Sequence, residues 1–162
     1  MARVYISVGS NVERERNLRS CFRALEERFG ALTLSRVYQN KAVGFSGADF
    51  FNLVVGFTTD ADPYSVVSCL RAIETAHARC RDAPKFSPRT LDLDLLLYDD
   101  LVLAKDGLQI PRPEITRYAF VLGPLAEVAG QLRHPRLGKT FAELWASFAK
   151  DSQPLYPVTL EL

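Results

Sequence analysis

The sequence predicts an α+β fold, an antiparallel sheet whose strands and two helices follow one another in the order β-α-β-β-α-β. Three observations predict it. Short β-rich runs alternate in polarity, two segments between them repeat apolar residues at helical spacing, and glycine, proline or asparagine stands near the junctions. A length of 162 residues is typical of one domain, so we expect a single domain over residues 1–162.

The first strand and the first helix come at the N-terminus. Residues 3–8 (RVYISV) alternate and are rich in β-formers, which predicts a strand. Residues 9–11 (GSN) turn the chain and supply a helix cap, and Gly30 ends the helix that follows. The helix has one apolar face, made of Leu18, Cys21, Phe22, Leu25 and Phe29.

Two further strands and a second helix come next. Residues 32–38 (LTLSRVY) and 50–59 (FFNLVVGFTT) are β-rich, and a long loop over 39–49 joins them. Asp62 and Pro63 are a cap followed by proline at the first helical position, where proline is favoured. The second helix presents an apolar face made of Val66, Val67, Leu70 and Ile73.

The fourth strand lies in residues 87–100, SPRTLDLDLLLYDD, and a basic loop over 78–87 leads into it. After residue 110 the pattern is less regular, with short helical pieces around AFVLGPLAEVA and an amphipathic helix near 140–149. The final segment, DSQPLYPVTLEL, is either a further strand or a flexible end. This order is the ferredoxin-like arrangement, with two helices on one face of the sheet and helical additions at the C-terminus.

Asp92 and Asp94 interrupt the leucine-rich fourth strand. Side chains alternate along a strand, so both aspartates face one side, about 7 Å apart at their backbones, while the odd-numbered leucines of residues 91–97 face the helices. Carboxylates at this spacing suit magnesium, which binds few protein carboxylates together with water and substrate phosphate. A strand that exposes its polar side to solvent gives the same pattern, so a bare DxD leaves both interpretations open.

Basic residues precede the aspartates within fifteen positions: Arg79, Arg81, Lys85 and Arg89. Cations beside a carboxylate pair suit phosphoryl transfer, because the acids hold a metal while the cations meet the phosphates. Surface salt bridges are the alternative explanation. Glu74, near the end of the second helix, either joins these carboxylates or is a charge on the helix surface.

Three residues from two distant segments suggest a slot for a flat ring. Phe50 and Asn52 open the third strand, and Phe120 lies in the segment RYAFVL. Two aromatic rings can enclose a planar ligand while an amide binds its edge. Core packing is the alternative role for both phenylalanines.

The bulk properties exclude several classes of function. A net charge of +1 gives no global field for nucleic acid or an anionic membrane. Neither GxxxxGK[ST] nor GxGxxG occurs, which excludes P-loop and Rossmann nucleotide sites. The N-terminus lacks the apolar stretch of a signal peptide, and the three cysteines form no CxxC pair. We therefore expect a cytoplasmic protein with reduced thiols, no nucleic-acid partner and no membrane contact.

Several segments together resemble one enzyme family. SPRTLDLDLLLYDD looks like the signature of the 6-hydroxymethyl-7,8-dihydropterin pyrophosphokinase family, and YISVGSN, the VGF…FFN segment and AFVLGPLAEVA resemble other family segments in the same order, over roughly residues 3–130. The resemblance implies a ferredoxin-like enzyme of folate biosynthesis that transfers the pyrophosphoryl group of ATP to the pterin's hydroxymethyl group and releases AMP. Its implied ligands are ATP, the pterin and two Mg²⁺ ions, and we expect a monomer.

The resemblance also implies roles for individual residues. Asp92 and Asp94 match the metal-ligating pair, which we count as catalytic together with Arg79 and Arg89, the matches of two arginines that stabilise the migrating phosphates. The implied ATP-binding residues are Glu74, Arg81, Phe86, Leu95, Arg112 and Tyr118. The implied pterin-binding residues are Asn40, Val43, Phe50, Asn52 and Phe120.

The sequence departs from the family pattern on the nucleotide side. Asp82 stands where members carry a lysine, Phe86 where a tryptophan is found, Arg112 where a histidine is found, and Tyr118 where an arginine usually precedes AFVL. The 40–49 loop also lacks prolines that are common there in the family, and together these departures leave two alternatives open. One is a divergent paralogue acting on a modified pterin, and the other is a pterin- or nucleotide-binding module without turnover.

Overall fold

The computed structural model describes residues 1–40, 49–79 and 91–160. Its strands are β1 (Ala2–Ser10), β2 (Thr33–Leu34), β3 (Val37–Asn40), β4 (Phe50–Thr59), β5 (Asp92–Tyr98), β6 (Leu103–Lys105), β7 (Leu108–Ile110) and β8 (Tyr156–Val158). Its helices are α1 (Arg14–Phe29), α2 (Pro63–Arg79), α3 (Ala119–Ala129) and α4 (Phe141–Ala146). No helix in these ranges is both long and apolar enough to cross a membrane.

The main sheet is antiparallel and has the strand order β5-β1-β4-β3-β8, with β2 also paired to β4. β6 and β7 form a separate two-stranded sheet. The predicted fold class, an antiparallel sheet with helices, is confirmed. The strand predicted over 50–59 coincides with β4, because its β-branched and aromatic residues are bounded by turns on both sides.

Ser35 separates β2 from β3. Its main-chain N–H donates to the carbonyl of Val54 at 2.9 Å, and its hydroxyl accepts from the N–H of Val54 at 2.9 Å. Because the hydroxyl takes the place of a main-chain carbonyl, regular pairing with β4 stops at this residue. The prediction of one continuous strand over 32–38 is therefore wrong, and two short strands lie there instead.

Helices α1 and α2 cover one face of the sheet. The strands contribute Val4, Ile6, Val8, Leu53, Val55, Leu93 and Leu95 to this first cluster, and the helices contribute Leu18, Cys21, Leu25, Val66 and Leu70. Every second residue of β1 and β4 enters it, as a side-chain period of two requires. The apolar faces predicted for both helices are thus the faces that pack.

Helices α3 and α4 cover part of the opposite face. The second cluster consists of Tyr5, Val54, Leu96, Leu97, Ile115, Val121, Leu122, Leu125, Ala129 and Phe141. The segment AFVLGPLAEVA, predicted as short helical pieces, forms the single helix α3. Its many apolar residues are buried because the helix lies directly on the sheet.

Leu97 packs on the opposite side from the one that strand alternation predicts. β1 pairs Ile6 with Leu95 and Tyr5 with Leu97, so Leu96 is an extra residue on β5. This irregularity reverses the alternation beyond Leu95, and Leu96 and Leu97 both pack in the second cluster under α3. The prediction that Leu97 faces α1 and α2 is wrong for that reason.

The C-terminal segment adds a helix and the last strand of the sheet, β8, which pairs with β3. The helix predicted over 140–149 is shorter, because α4 begins at a capping box of Thr140 and Glu143 and ends at Ala146. Of the two roles left open for the final segment, a strand is the correct one, since β8 pairs with β3.

Candidate active site

A cavity of about 260 Å³ opens on the sheet face opposite α1 and α2, in the part of that face that α3 and α4 do not cover. Strands β1, β3, β4 and β5 and helix α3 all contribute to its lining. The lining residues are Ser7, Gly9, Asn40, Phe50, Asn52, Asp92, Asp94 and Phe120. The structure therefore brings together both predicted metal ligands and four of the predicted pterin-binding residues.

Strand register explains why residues so far apart in sequence meet here. Ser7 pairs with Asp94, and Gly9 pairs with Asp92 on one side and with Asn52 on the other. Residues two apart on a strand share a face, so all of these side chains point away from α1 and α2. The predicted orientation of the aspartates is the orientation observed.

Asn52 and Asn40 form a buried amide pair at one side of the cavity. They are 7% and 8% exposed, and Nδ2 of Asn52 donates to Oδ1 of Asn40. A Cβ atom at position 9 would lie only 2.7 Å from Oδ1 of Asn52, so glycine is what admits the amide. Amide donors and acceptors fixed in this way can bind the polar edge of a ring ligand.

Two aromatic rings lie at the cavity. Phe50 comes from β4 and Phe120 from α3, and the Tyr118 ring stacks on Phe120 with 5.1 Å between ring centroids. Phe120 also packs partly against the second cluster. The ring therefore combines the two roles that the sequence left open, since one part supports the core and another faces the cavity.

Asp94 stands between two arginines. Its Oδ1 lies 3.6 Å from Nη2 of Arg71 on α2 and 3.5 Å from Nη2 of Arg112, which follows β7. Burial lowers the pKa of Arg71, but its hydrogen bond to Glu74 and the charges of Glu74 and Asp94 outweigh this and raise it. The Arg71 guanidinium therefore stays charged, and the carboxylate end of the cavity carries built-in positive charge.

Glu74 connects α2 to β5 through a hydrogen bond. Its Oε2 accepts the main-chain N–H of Leu93 at 2.9 Å, and its Oε1 pairs with Arg71. The side chain is only 12% exposed, which makes these bonds firm. Glu74 thus fixes Arg71 and β5 relative to each other, and its contact with a nucleotide stays a prediction.

The carboxylate pair fits a metal that a substrate phosphate helps to bind. Within the described ranges no group of three or more histidine, cysteine or acidic side chains forms a metal cluster. Asp92 and Asp94 nevertheless line the same open cavity. Magnesium requires only one or two carboxylates when water and phosphate oxygens complete its octahedron. The donor set is therefore suitable for magnesium carried by a nucleotide, and less so for a metal bound by protein alone.

Some predicted residues lie where the structure gives no side chain. Val43, Arg81, Phe86 and Arg89 are outside the described residues, and Arg79 ends α2 without a described side chain. Their roles stay predictions. The Leu95 side chain is 2% exposed and packs in the first cluster, and the role of this residue in ATP binding stays a prediction.

The sequence-based prediction missed Ser7, Gly9 and Arg71. Ser7 is a polar residue between Ile6 and Val8, and Gly9 has the same parity. Pairing that strand with the DxD strand would have placed both beside the aspartates. Arg71 precedes Glu74 by three residues, which puts both on one helix face.

Known proteins resemble this chain along most of its length. The family model for 7,8-dihydro-6-hydroxymethylpterin-pyrophosphokinase (HPPK) matches residues 5–130. The 2-amino-4-hydroxy-6-hydroxymethyldihydropteridine pyrophosphokinase of Bacillus subtilis is 35% identical over 133 residues, which cover 79% of this chain and 78% of that protein. The protein of the same name from Aquifex aeolicus is 32% identical over 145 residues, covering 88% and 90% of the two chains.

Solved structures share the fold. The Plasmodium falciparum HPPK-DHPS triple mutant with STZ-DHP superposes with a TM-score of 0.74 over 93% of this chain, at 14% sequence identity. The chain spans 44% of that solved chain, which is less than half. At this identity the likeness shows the fold alone.

Proposed function

Because the chain belongs to the 7,8-dihydro-6-hydroxymethylpterin-pyrophosphokinase family, we infer that it transfers the pyrophosphoryl group of ATP to the hydroxymethyl group of 6-hydroxymethyl-7,8-dihydropterin. This is a reaction of folate biosynthesis, and its second product is AMP. One observation supports placing it at the cavity. Two carboxylates, two phenylalanines and a buried amide pair converge there from distant parts of the chain.

We propose that the pterin occupies the side of the cavity formed by Phe50, Phe120 and the amide pair. The phenylalanines would contact the two faces of the ring, where offset stacking is favourable. Asn52 and Asn40 would bind its edge, because both amides are buried and already oriented by their mutual hydrogen bond. This arrangement directs the hydroxymethyl group toward the aspartates.

We propose that Asp92 and Asp94 hold the two Mg²⁺ ions of the reaction. Magnesium bound there would neutralise phosphate charge and lower the pKa of the pterin alcohol. Arg112 would meet the phosphate oxygens from the rim, since its guanidinium already lies beside Asp94. The cavity residues would thus orient the alcohol and the triphosphate toward each other.

In the transfer, the hydroxymethyl oxygen attacks the β-phosphorus, and the bond from this phosphorus to the oxygen shared with the α-phosphate breaks. AMP leaves with that oxygen, and the hydroxymethyl proton goes to solvent. Among the described lining residues there is no histidine or lysine to act as a base. Positioning and charge neutralisation are therefore the contributions that we expect from the protein.

One chain supplies the carboxylates, the amides and both aromatic rings of the cavity, and we propose that a monomer is active. A cytoplasmic location remains our expectation, because ATP is supplied there. Size-exclusion chromatography of the active protein would test the first point, and turnover that requires a dimer would contradict it.

The decisive experiment follows AMP release from ATP and Mg²⁺, with and without 6-hydroxymethyl-7,8-dihydropterin. We expect one AMP for each pterin consumed and no AMP without pterin. Tight pterin binding without AMP would instead support a binding module. AMP release only with an altered pterin would support the divergent paralogue.

A further inference from the structure

Arg71 and Arg112 contact the same carboxylate oxygen from two different segments. Their Nη2 atoms lie 3.6 Å and 3.5 Å from Oδ1 of Asp94. Each guanidinium also pairs more closely with a glutamate of its own segment. Arg71 pairs with Glu74, three residues later, and Arg112 pairs with Glu114, two residues later. Three acids and two arginines therefore alternate along the rim of the cavity.

The two halves of this chain of charges differ in strength. The contacts to Asp94 are longer than charge-assisted hydrogen bonds, which measure about 2.7–2.9 Å. Arg71 is 45% exposed and Asp94 is 34% exposed, so solvent screens their attraction. The glutamates anchor the arginines, and the link from each arginine to Asp94 is the weaker one. A competing cation can therefore displace both links while the arginines stay at the rim.

We propose that Arg71 and Arg112 are exchangeable counter-ions of Asp94, which neutralise it in the ligand-free protein and turn to the triphosphate when magnesium takes the carboxylate. This inference rests on the proposed function and assigns Arg71, which no sequence motif marked, to the nucleotide side of the site. It is a binding and positioning role, because Arg71 acts on the ligands and on Asp94 without entering the bond changes.

Electrostatics predicts how the two arginines change the affinity of the site at Asp94 for magnesium. Magnesium must approach a carboxylate oxygen to about 2.1 Å, which brings a dication close to both guanidiniums. Without a nucleotide, the arginines therefore oppose the metal at Asp94. Phosphate oxygens remove that conflict, because they give the arginines another negative partner. Metal and nucleotide each bind better in the presence of the other, as linkage requires.

Arg71→Gln separates the two effects. Without nucleotide, we expect the variant to bind Mn²⁺, the paramagnetic probe for the magnesium site, about three- to tenfold more tightly, because one competing cation is gone. In EDTA, we expect it to bind α,β-methylene-ATP about tenfold more weakly, because one phosphate contact is lost. Electron paramagnetic resonance measures the first affinity, and isothermal titration calorimetry measures the second.

Arg19→Gln is the matched control. Arg19 is also a helix arginine paired with a glutamate of its own helix, at 2.6 Å from Glu15, but it lies on α1 away from the cavity. The control should leave both affinities unchanged. Arg112→Gln should repeat the tighter Mn²⁺ binding of Arg71→Gln. A thermal melt shows whether each variant is folded before it is titrated.

The outcomes distinguish this proposal from the proposed function. Mn²⁺ binding that is unchanged or weaker in Arg71→Gln would show that the arginine does not compete for Asp94, and unchanged affinity for α,β-methylene-ATP would show that it meets no phosphate. Either result overturns the exchange. Both titrations omit the pterin, so they are independent of turnover. An enzyme that releases AMP normally can still fail this test, and the pterin-dependent AMP assay alone decides the reaction.

Discussion

One face of the sheet has two halves that differ in character although the same three strands build them. The covered half holds Tyr5, Val54 and Leu97, and the open half holds Ser7, Asn52 and Asp94. The covered residues are 5%, 0% and 2% exposed and pack under α3 and α4. The open residues line the cavity, where Asp94 is 34% exposed.

The change from packing to chemistry takes place within one or two pleats of each strand. Residues two apart share a face at a spacing of about 7 Å, so Tyr5 and Ser7 are neighbours with opposite tasks. The covered half lowers the free energy of the folded state, and the open half supplies ligands. Substitutions on the same strand should therefore affect different measured quantities.

The largest expected effect is the loss of turnover in Asp94→Asn. Removing one carboxylate charge from the metal site should lower kcat by about 10²- to 10³-fold or more, as loss of a key electrostatic group does. The free energy of unfolding should change by less than about 1 kcal/mol, because the arginine contacts are partly exposed. Magnesium-dependent AMP release and urea unfolding measure the two quantities.

Asp60→Asn is the control for that loss, because Asp60 is 85% exposed and lies just beyond the far end of β4. It should keep the wild-type rate. Near-complete activity in Asp94→Asn would show that the open half does not hold the metal.

The converse change is Leu97→Ala in the covered half. Truncating a side chain that is 2% exposed should lower the unfolding free energy by about 2–4 kcal/mol. At a temperature where the variant is folded, kcat should stay within about twofold. Val102→Ala, at a residue that is 48% exposed, should cost less than about 0.5 kcal/mol. A rate that falls as steeply as the stability would mean that the halves are not separable.

Gly9→Ala tests whether pterin binding depends on the position of the Asn52 side chain in the open half. The new methyl group would meet Oδ1 of Asn52 at 2.7 Å and push the amide from its place. The KM for the pterin should rise about tenfold, because a misplaced amide no longer matches the ring edge. The KM for ATP is the internal control and should not change. An unaltered pterin KM would remove Asn52 from the pterin site.

Phe120→Ala affects the boundary between the two halves. Loss of one stacking face should weaken pterin binding about two- to tenfold, which fluorescence titration with the pterin can measure. Phe148→Ala removes a ring that stacks on Trp145 instead and should leave pterin affinity unchanged. Equal affinity in wild type and Phe120→Ala would assign this ring to core packing alone.

The smallest expected effect is a pH dependence at Tyr38. Its hydroxyl donates to Oε2 of Glu127 at 2.6 Å, and burial, followed by Glu127, raises its pKa to about 12. An unfolded tyrosine titrates near 10. The unfolded state therefore loses its proton first, so the stabilisation is present below about pH 10 and is lost as the pH rises toward 12. Tyr38→Phe should flatten this decline in alkaline urea unfolding, and an unchanged decline would assign it to other groups.

The sequence predicted those features that depend on local periodicity. β4 follows from a run of β-branched and aromatic residues, and the shared face of Asp92 and Asp94 follows from their spacing of two. The open face itself also follows, because two amphipathic helices can cover only one side of a sheet.

Features that depend on strand register or on tertiary contacts could not be predicted from the sequence. One extra residue at Leu96 turns Leu97 to the other face, and nothing in LDLDLLLY marks where pairing with β1 becomes irregular. The hydroxyl of Ser35 divides a predicted strand only because Val54 lies opposite it. Arg71 and Arg112 reach Asp94 from two other segments, so their convergence required the folded chain.

A crystal structure with Mg²⁺, α,β-methylene-ATP and 6-hydroxymethyl-7,8-dihydropterin would show directly where the metal and both substrates bind. We expect magnesium at about 2.1 Å from carboxylate oxygens of Asp92 and Asp94, with the pterin between Phe50 and Phe120 and its edge on Asn52. The covered half should remain packed under α3. A pterin bound outside this cavity, or magnesium that contacts neither aspartate, would show that the active site lies elsewhere.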